Sequence, residues 1–215
     1  MKTKNKNAVG DDAYEYIKGC ILSKKILSGE KINEKLIAQE LEISRTPVRD
    51  AVKRLVNEKL LVLYPNRYVE VARFDAVDIQ ELGMVRITID SLAIKLAVHN
   101  GSNNDFEALR QIETKCENAL WQKDLVAMIH FDCDFHIKIG EISGNRVLMD
   151  MQKRLLDRTM LLMLTVVEHE VAMHSLKQHA KIIDALFNRD IENSLRAMRN
   201  HLCYFYKIDP NVGLV

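Results

Sequence analysis

The chain has 215 residues, 47% of them apolar and 28% charged, with a formal charge of +1; this is the balance of a globular chain folded as one large domain or two small ones. Its 8 Gly and 3 Pro are too few for the many turns of a sandwich or barrel, so a mainly α protein is expected. The small net charge hides an asymmetry: residues 1–73 carry 15 Lys and Arg against 10 Asp and Glu, and residues 74–215 carry 16 against 20, which suggests a basic front module and a mildly acidic back module with different partners.

The first residues, MKTKNKNAVGDD, are basic but have no apolar run behind them, so no secretory signal is expected. Asp11 to Leu27 reads as a helix from Tyr14, Ile17 and Ile21, with Ser28-Gly29 ending it. Asn33 is an N-cap candidate for a short helix over Glu34 to Leu41. Pro47 belongs in a first helical turn, which makes Ser44 or Thr46 the cap of a third helix reaching about Lys59. Its inward stripe is Val48, Ala51, Val52, Leu55 and Val56; Arg45, Arg49 and Lys53 lie on the other face, with Arg54 as a further candidate there. Two β-like runs, Leu61 to Tyr64 and Tyr68 to Val71, flank Pro65-Asn66-Arg67 and read as a hairpin with a basic tip. Three short helices and a hairpin, with cations on the third helix and the tip, form a winged helix-turn-helix. Arg45 and Arg49 sit where side chains reach base edges in a major groove, and Lys35, Lys53 and Arg67 where they meet phosphates or the minor groove.

From Asp75 the pattern is helical with short breaks, near 75–99, 103–123, 125–142, 146–170, 172–188 and 190–207: an all-α antiparallel bundle. The domains are therefore 1–73 and 74–215. The longest apolar stretch, Met160 to Val167, is too short to span a bilayer, so no membrane partner is expected. Four Cys with no CxxC pair fit reduced thiols in a cytoplasm better than a disulfide scaffold or a zinc ribbon. Asp132 and His136 are four residues apart and share a helix face. His179 and His201 lie among apolar residues on two later helices. One carboxylate and three imidazoles from three helices make a ligand set for a divalent transition metal. A lone buried His is more often bonded to a carbonyl, and Asp132 could pair with a Lys, so spacing alone leaves both readings open.

The run from Glu34 through SRTPVRDAVKRL to Leu55 resembles the DNA-reading segment of the GntR family of bacterial transcription regulators. The resemblance implies DNA contacts at Lys35, Arg45, Thr46, Arg49 and the wing tip. Two positions depart from the family pattern: Ser28-Gly29-Glu30 stands where Pro-Gly is usual, and Tyr68 where the wing usually has Gly. The second half, through Asp132-Cys-Asp-Phe-His136, Ser143-Gly-Asn145, His179, Asp190 and Met198-Arg-Asn-His201, is similar to the ligand-binding domain of the FadR-like branch (FCD type). In its metal-containing members the positions matching Asp132, His136, His179 and His201 hold the ion. Branch members that bind long acyl ligands lack this set, which points to a small-molecule pocket. The resemblance further assigns Arg86 to an anionic effector, with Asn145 beside it, and departs at Asp90, where Glu is common. The expectation is a cytoplasmic homodimeric regulator, a repressor rather than an activator, binding an inverted-repeat operator in double-stranded DNA. A small organic acid and a metal would modulate it, with Zn²⁺ ahead of Ni²⁺, Mn²⁺ and Fe²⁺. The alternatives are a metal-dependent hydrolase on a DNA tether, with Asp134 or Glu141 as its extra acid, and a regulator with a purely structural metal site.

Overall fold

The computed structural model describes residues 6–65 and 67–211, and side chains from residue 9 onward; Asn66 of the wing tip lies outside the described residues. The chain divides into two compact units, Met1–Arg73 and Phe74–Val215.

The first unit contains α1 (Lys6–Leu22), α2 (Glu34–Glu40), α3 (Arg45–Asn57), β1 (Leu61–Tyr64) and β2 (Tyr68–Val71). The strands pair antiparallel with Leu61 opposite Val71 and Tyr64 opposite Tyr68. Val48, Ala51, Val52 and Leu55 of α3 are all buried, against Ile17 and Ile21 from α1 and Leu60 and Leu61 beside the wing. Here the structure corrects the sequence reading. α1 starts and stops five residues earlier than Asp11 to Leu27. Lys24 turns into the left-handed region (φ 60°), and the amides of Lys25 and Ile26 fold back onto the Cys20 carbonyl. Ser28-Gly29 thus serves another purpose. Gly29 (φ 79°) bends the chain so that its N–H donates to Val71 O, while Ile32 N–H donates to Val69 O, adding a short edge to β2. Ser44, not Thr46, occupies the N-cap of α3, with no side-chain cap bond.

The second unit is α4 (Ala76–Asn100), α5 (Asn103–Trp121), α6 (Leu125–Ile142), α7 (Arg146–Val166), α8 (His169–Phe187) and α9 (Ile191–Tyr206). Side-chain oxygens cap five of the six starts: Asp75, Ser102, Asp124, Asn145 and Asp190 accept from backbone N–H groups of the first turn. α4 packs on α6, α7 and α9; α5 packs on α6 and α8; and α8 packs on α9. Their shared core includes Ile87, Ile94, Leu109, Phe135, Ile139, Leu162, Ile182, Met198 and Leu202. The break between α7 and α8 falls earlier than 170–172, at extended Val167 and Glu168. Neither Gly nor Pro marks it. The effect of this packing is to bring one face each of α4, α6, α8 and α9 to a single buried polar cluster inside an otherwise apolar core.

Candidate nucleic-acid interface and metal centre

On the first unit, Arg45, Thr46, Arg49 and Lys53 of α3, Lys35 of α2 and Arg67 of the turn before β2 are all exposed. The α3 cations are not free of partners. Glu34, the first residue of α2, places Oε2 3.2 Å from Arg49 Nε and 4.0 Å from Arg45 Nη2, and Lys53 pairs with Asp50. Glu34 was not among the predicted site residues; an acid in a first helical turn reads as ordinary dipole compensation, so its sequence position carries no sign of this role. Arg54 instead bonds Asp11 and lies 4.1 Å from the centre of the Tyr14 ring, so it belongs to the α1–α3 packing. The Tyr68 ring lies 4.9 Å from that of Tyr64 and under the Lys31 ammonium at 4.1 Å.

On the second unit, α6 supplies Asp132 and His136, α8 supplies His179 and α9 supplies His201. All four are 3% exposed or less. One ligand atom from each lies within 4.8 Å of all the others. His136 Nε2 and His201 Nε2 are 3.0 Å apart, and His179 Nε2 and Asp132 Oδ1 are 3.5 Å apart. Two atoms each about 2.1 Å from one Zn²⁺ stand about 3.4 Å apart at a tetrahedral angle and about 3.0 Å apart at a right angle, so the 3.0 Å and 3.5 Å pairs fit a shared ion. The outward nitrogens face carboxylates: His179 Nδ1 is 2.8 Å from Glu113 Oε2 on α5, and His136 Nδ1 is 3.1 Å from Asp90 Oδ2 on α4. The Phe135 ring stacks on His179 at 4.0 Å between centroids and leaves that imidazole little freedom to turn.

The electrostatics point the same way. Both Asp132 oxygens and His179 Nε2 are buried without a hydrogen-bond partner. A buried neutral group in that condition costs about 1–3 kcal/mol and a charged one more, so three inward-facing ligand atoms without partners are a cost that a cation would remove. Burial raises the Asp132 carboxyl pKa against the pull of His179 and Arg86. It also holds His136 and His201 well below the ordinary imidazole value, helped by their charged neighbours. Burial pulls His179 down too, but the charge and hydrogen bond of Glu113 outweigh it, and its pKa is raised. Two imidazoles are therefore kept neutral, the form a metal binds.

Arg86 is 1% exposed. Its Nε donates to Asp90 Oδ2 at 3.2 Å and its Nη1 to Tyr206 Oη at 3.3 Å, while Nη2 has no partner. The Tyr206 ring lies directly on Gly83, where an added Cβ would stand 2.5 Å from Tyr206 Cγ. Asn145 stands apart from this cluster in character: it is exposed, and its Oδ1 is committed to capping α7 through Leu148 N–H. Asp134 and Glu141 are likewise exposed. Glu113, Gln152, Thr159 and Tyr206 enter the cluster unannounced by the sequence, because each reaches it from a helix that carries no predicted ligand or, for Tyr206, from a position that reads as plain core.

A winged helix with an exposed cationic third helix, followed by a helical bundle with a buried polar centre, defines a DNA-binding transcription regulator with an attached helical domain. The chain belongs to the GntR family: residues 10–71 match the gntR family of bacterial regulatory proteins and residues 81–203 match the FCD domain, which places it in the FadR-like branch. It is 25% identical over 145 residues to the HTH-type transcriptional regulator YdhC of Bacillus subtilis (strain 168), a stretch covering 67% of this chain and 65% of YdhC. It is 23% identical over 216 residues to the HTH-type transcriptional repressor GlaR of Escherichia coli (strain K12), covering 89% of this chain and 91% of GlaR. The E. coli McbR/YncC structure shares the fold, with a TM-score of 0.78 at 22% identity over 93% of this chain and 97% of that one. The protein is thus a DNA-binding transcription regulator and not an enzyme, and the hydrolase alternative falls. Among the described residues no helix is long and apolar enough to cross a membrane.

Proposed function

We propose that this regulator is a cytoplasmic homodimeric repressor of an inverted-repeat operator, relieved or tightened by a small organic carboxylate at a metal centre. Asp132, His136, His179 and His201 would hold one divalent transition ion, with Zn²⁺ first among Zn²⁺, Ni²⁺, Mn²⁺ and Fe²⁺, because imidazole nitrogen with a single carboxylate suits these ions and not Ca²⁺ or Mg²⁺. When bound, the ion supplies a Lewis-acidic position that attracts a carboxylate. Arg86, with Nη2 unpartnered, opposes that ligand's charge. Arg45, Thr46 and Arg49 of α3 meet bases or nearby phosphates, and Lys35, Lys53 and Arg67 meet the backbone. The repressor reading draws on the likeness to GlaR. The observation that carries the metal reading is Asp132: a carboxylate 1% exposed, with both oxygens unpartnered and three imidazoles around it.

Elemental analysis of the purified full chain, with gel-shift titration of a duplex selected from a random pool, tests this. We expect about one ion per chain, lost in His201→Ala, with DNA binding retained but no longer altered by added organic acids. Metal-free wild-type protein that still responds to such acids would overturn it. One observation favours a second reading: Arg86 is already paired with Asp90, as in a purely structural site. In that case the ion would be present and no acid would alter DNA binding.

A further inference from the structure

Arg86 and Asp90 are four residues apart on α4 and so share a face. That face points into the polar centre, where both side chains are buried. Asp90 is the junction of the network around it. Its Oδ1 accepts from Gln152 Nε2 of α7 at 2.8 Å. Its Oδ2 accepts from Arg86 Nε at 3.2 Å and stands 3.1 Å from His136 Nδ1, a fully buried pair. The amide of Gln152 has one sensible orientation, since the reverse would set its oxygen against a carboxylate. Its Oε1 rests in the space above Gly140, where an added Cβ would lie 2.0 Å away. Gly140 is one turn beyond His136 on α6. The carboxylate is therefore clamped by a residue seated on the same helix that carries His136.

We propose that Asp90 is a positioning residue of this centre. It fixes His136 in the tautomer with its proton on Nδ1, which leaves Nε2 bare toward His201, and it ties that imidazole to the anion anchor Arg86. The argument is geometric. Nδ1 faces a carboxylate that can only accept, so the proton belongs on that nitrogen. In this structure the two atoms stand 3.1 Å apart out of line for a hydrogen bond, and His136 Nδ1 has no other partner. His179 has the same arrangement through Glu113. Imidazoles backed by carboxylates bind metal more tightly, and loss of such a partner typically costs 10–100-fold in affinity. Because Arg86 and His136 share one oxygen of Asp90, an anion that draws Arg86 toward itself leaves that oxygen to His136. Anion and metal then favour each other's binding, each by the same factor. This part of the inference rests on the metal reading above; the tautomer does not.

The test has two arms on the full chain. In the metal-free wild type, long-range ¹H–¹⁵N correlation spectra should show His136 protonated on Nδ1; protonation on Nε2 would overturn the proposal without any variant. In the second arm, Co²⁺ is titrated and followed by its visible absorption. Asp90→Asn should weaken Co²⁺ binding about 10–100-fold and shift the His136 tautomer, while Asp90→Glu should restore much of both. A folded Asp90→Asn protein, judged by helix content and melting, that keeps wild-type Co²⁺ affinity and tautomer would overturn it. Failure of the wild type to take up Co²⁺ would overturn the metal reading instead, and the tautomer of His136 would then decide the role of Asp90 alone.

Discussion

Replacing Asp132 by Asn should reverse the order of stability with and without metal. In metal-free protein the Asp132 carboxylate is buried beside His179 with neither oxygen bonded, and burial raises its pKa. Asn removes the charge, and its amide can donate to an imidazole lone pair. Relief of one such group is worth about 1–3 kcal/mol, so the metal-free variant should melt above the metal-free wild type. With metal the sign turns. An ion present at a hundredfold excess over its Kd stabilises the native state by about 2.7 kcal/mol. For a chain of 215 residues each kcal/mol is worth about 2–4 °C, so Zn²⁺ should raise the wild-type Tm by about 5–11 °C and leave the variant nearly unmoved. Calorimetry of both proteins in chelator and in Zn²⁺ gives all four values. Equal Zn²⁺ shifts, or a variant less stable than wild type in chelator, would refute the reasoning. Asp132 would then be held by packing and not by an ion.

The strands of the wing and the helices of the bundle were legible because alternation and 3.6-residue periodicity, together with Asp, Ser and Asn caps, are written locally. Helix ends without those signals were not. Among the described residues, six that are not glycine take the left-handed conformation, Lys24, Glu42, Lys59, Lys123, Arg189 and Lys207, each at or just past a helix end, where Gly is the usual mark. Several ends therefore carry no glycine, and the apolar spacing that predicts α1 runs on through Leu27 to Ser28-Gly29. The site divides along the same line. Asp132 and His136 were legible as a same-face pair, and His179 and His201 as polar residues in apolar stripes. Asp90 and Glu113 act on those imidazoles across helix–helix packing at separations of 46 and 66 residues in sequence, and Gln152 acts through Asp90 at a separation of 62; no local pattern specifies that. Glu34 escaped notice for a different reason: its position has a sufficient local explanation, and the pairing with Arg49 exists only once α2 and α3 are packed.

Arg49→Ala should cost about 1–3 kcal/mol on the selected duplex and relax preference at one position per half-site, whereas Lys35→Ala should weaken all sequences alike and lower the salt slope by about one per contact; fluorescence anisotropy across salt concentrations separates them. If the bundle holds the proposed dimer together, residues 74–215 alone should remain a dimer by light scattering; a monomer at micromolar concentration contradicts this. Gly140→Ala should weaken Co²⁺ binding without touching a ligand, because the new Cβ would stand 2.0 Å from Gln152 Oε1 and push that amide off Asp90; unchanged affinity would mean Gln152 does not hold the carboxylate. The pH dependence of metal binding should carry the charge of one imidazole. His136 and His201 are held neutral by burial and have no proton to give up. His179, raised by Glu113 against burial, must lose one before its Nε2 can bind. Affinity should therefore be level above the folded pKa of His179, which lies above about 6.5, fall about tenfold per pH unit below it, and steepen where the Asp132 carboxyl, raised by burial, also takes up a proton. Glu113→Gln removes what raises that pKa, so the fall should begin at lower pH. Co²⁺ titrations between about pH 5.5 and pH 8.5 read the slope directly, and a fall of about three decades per unit just below pH 6.5, beyond what His179 and the raised Asp132 carboxyl supply together, would mean that burial does not hold His136 and His201 neutral.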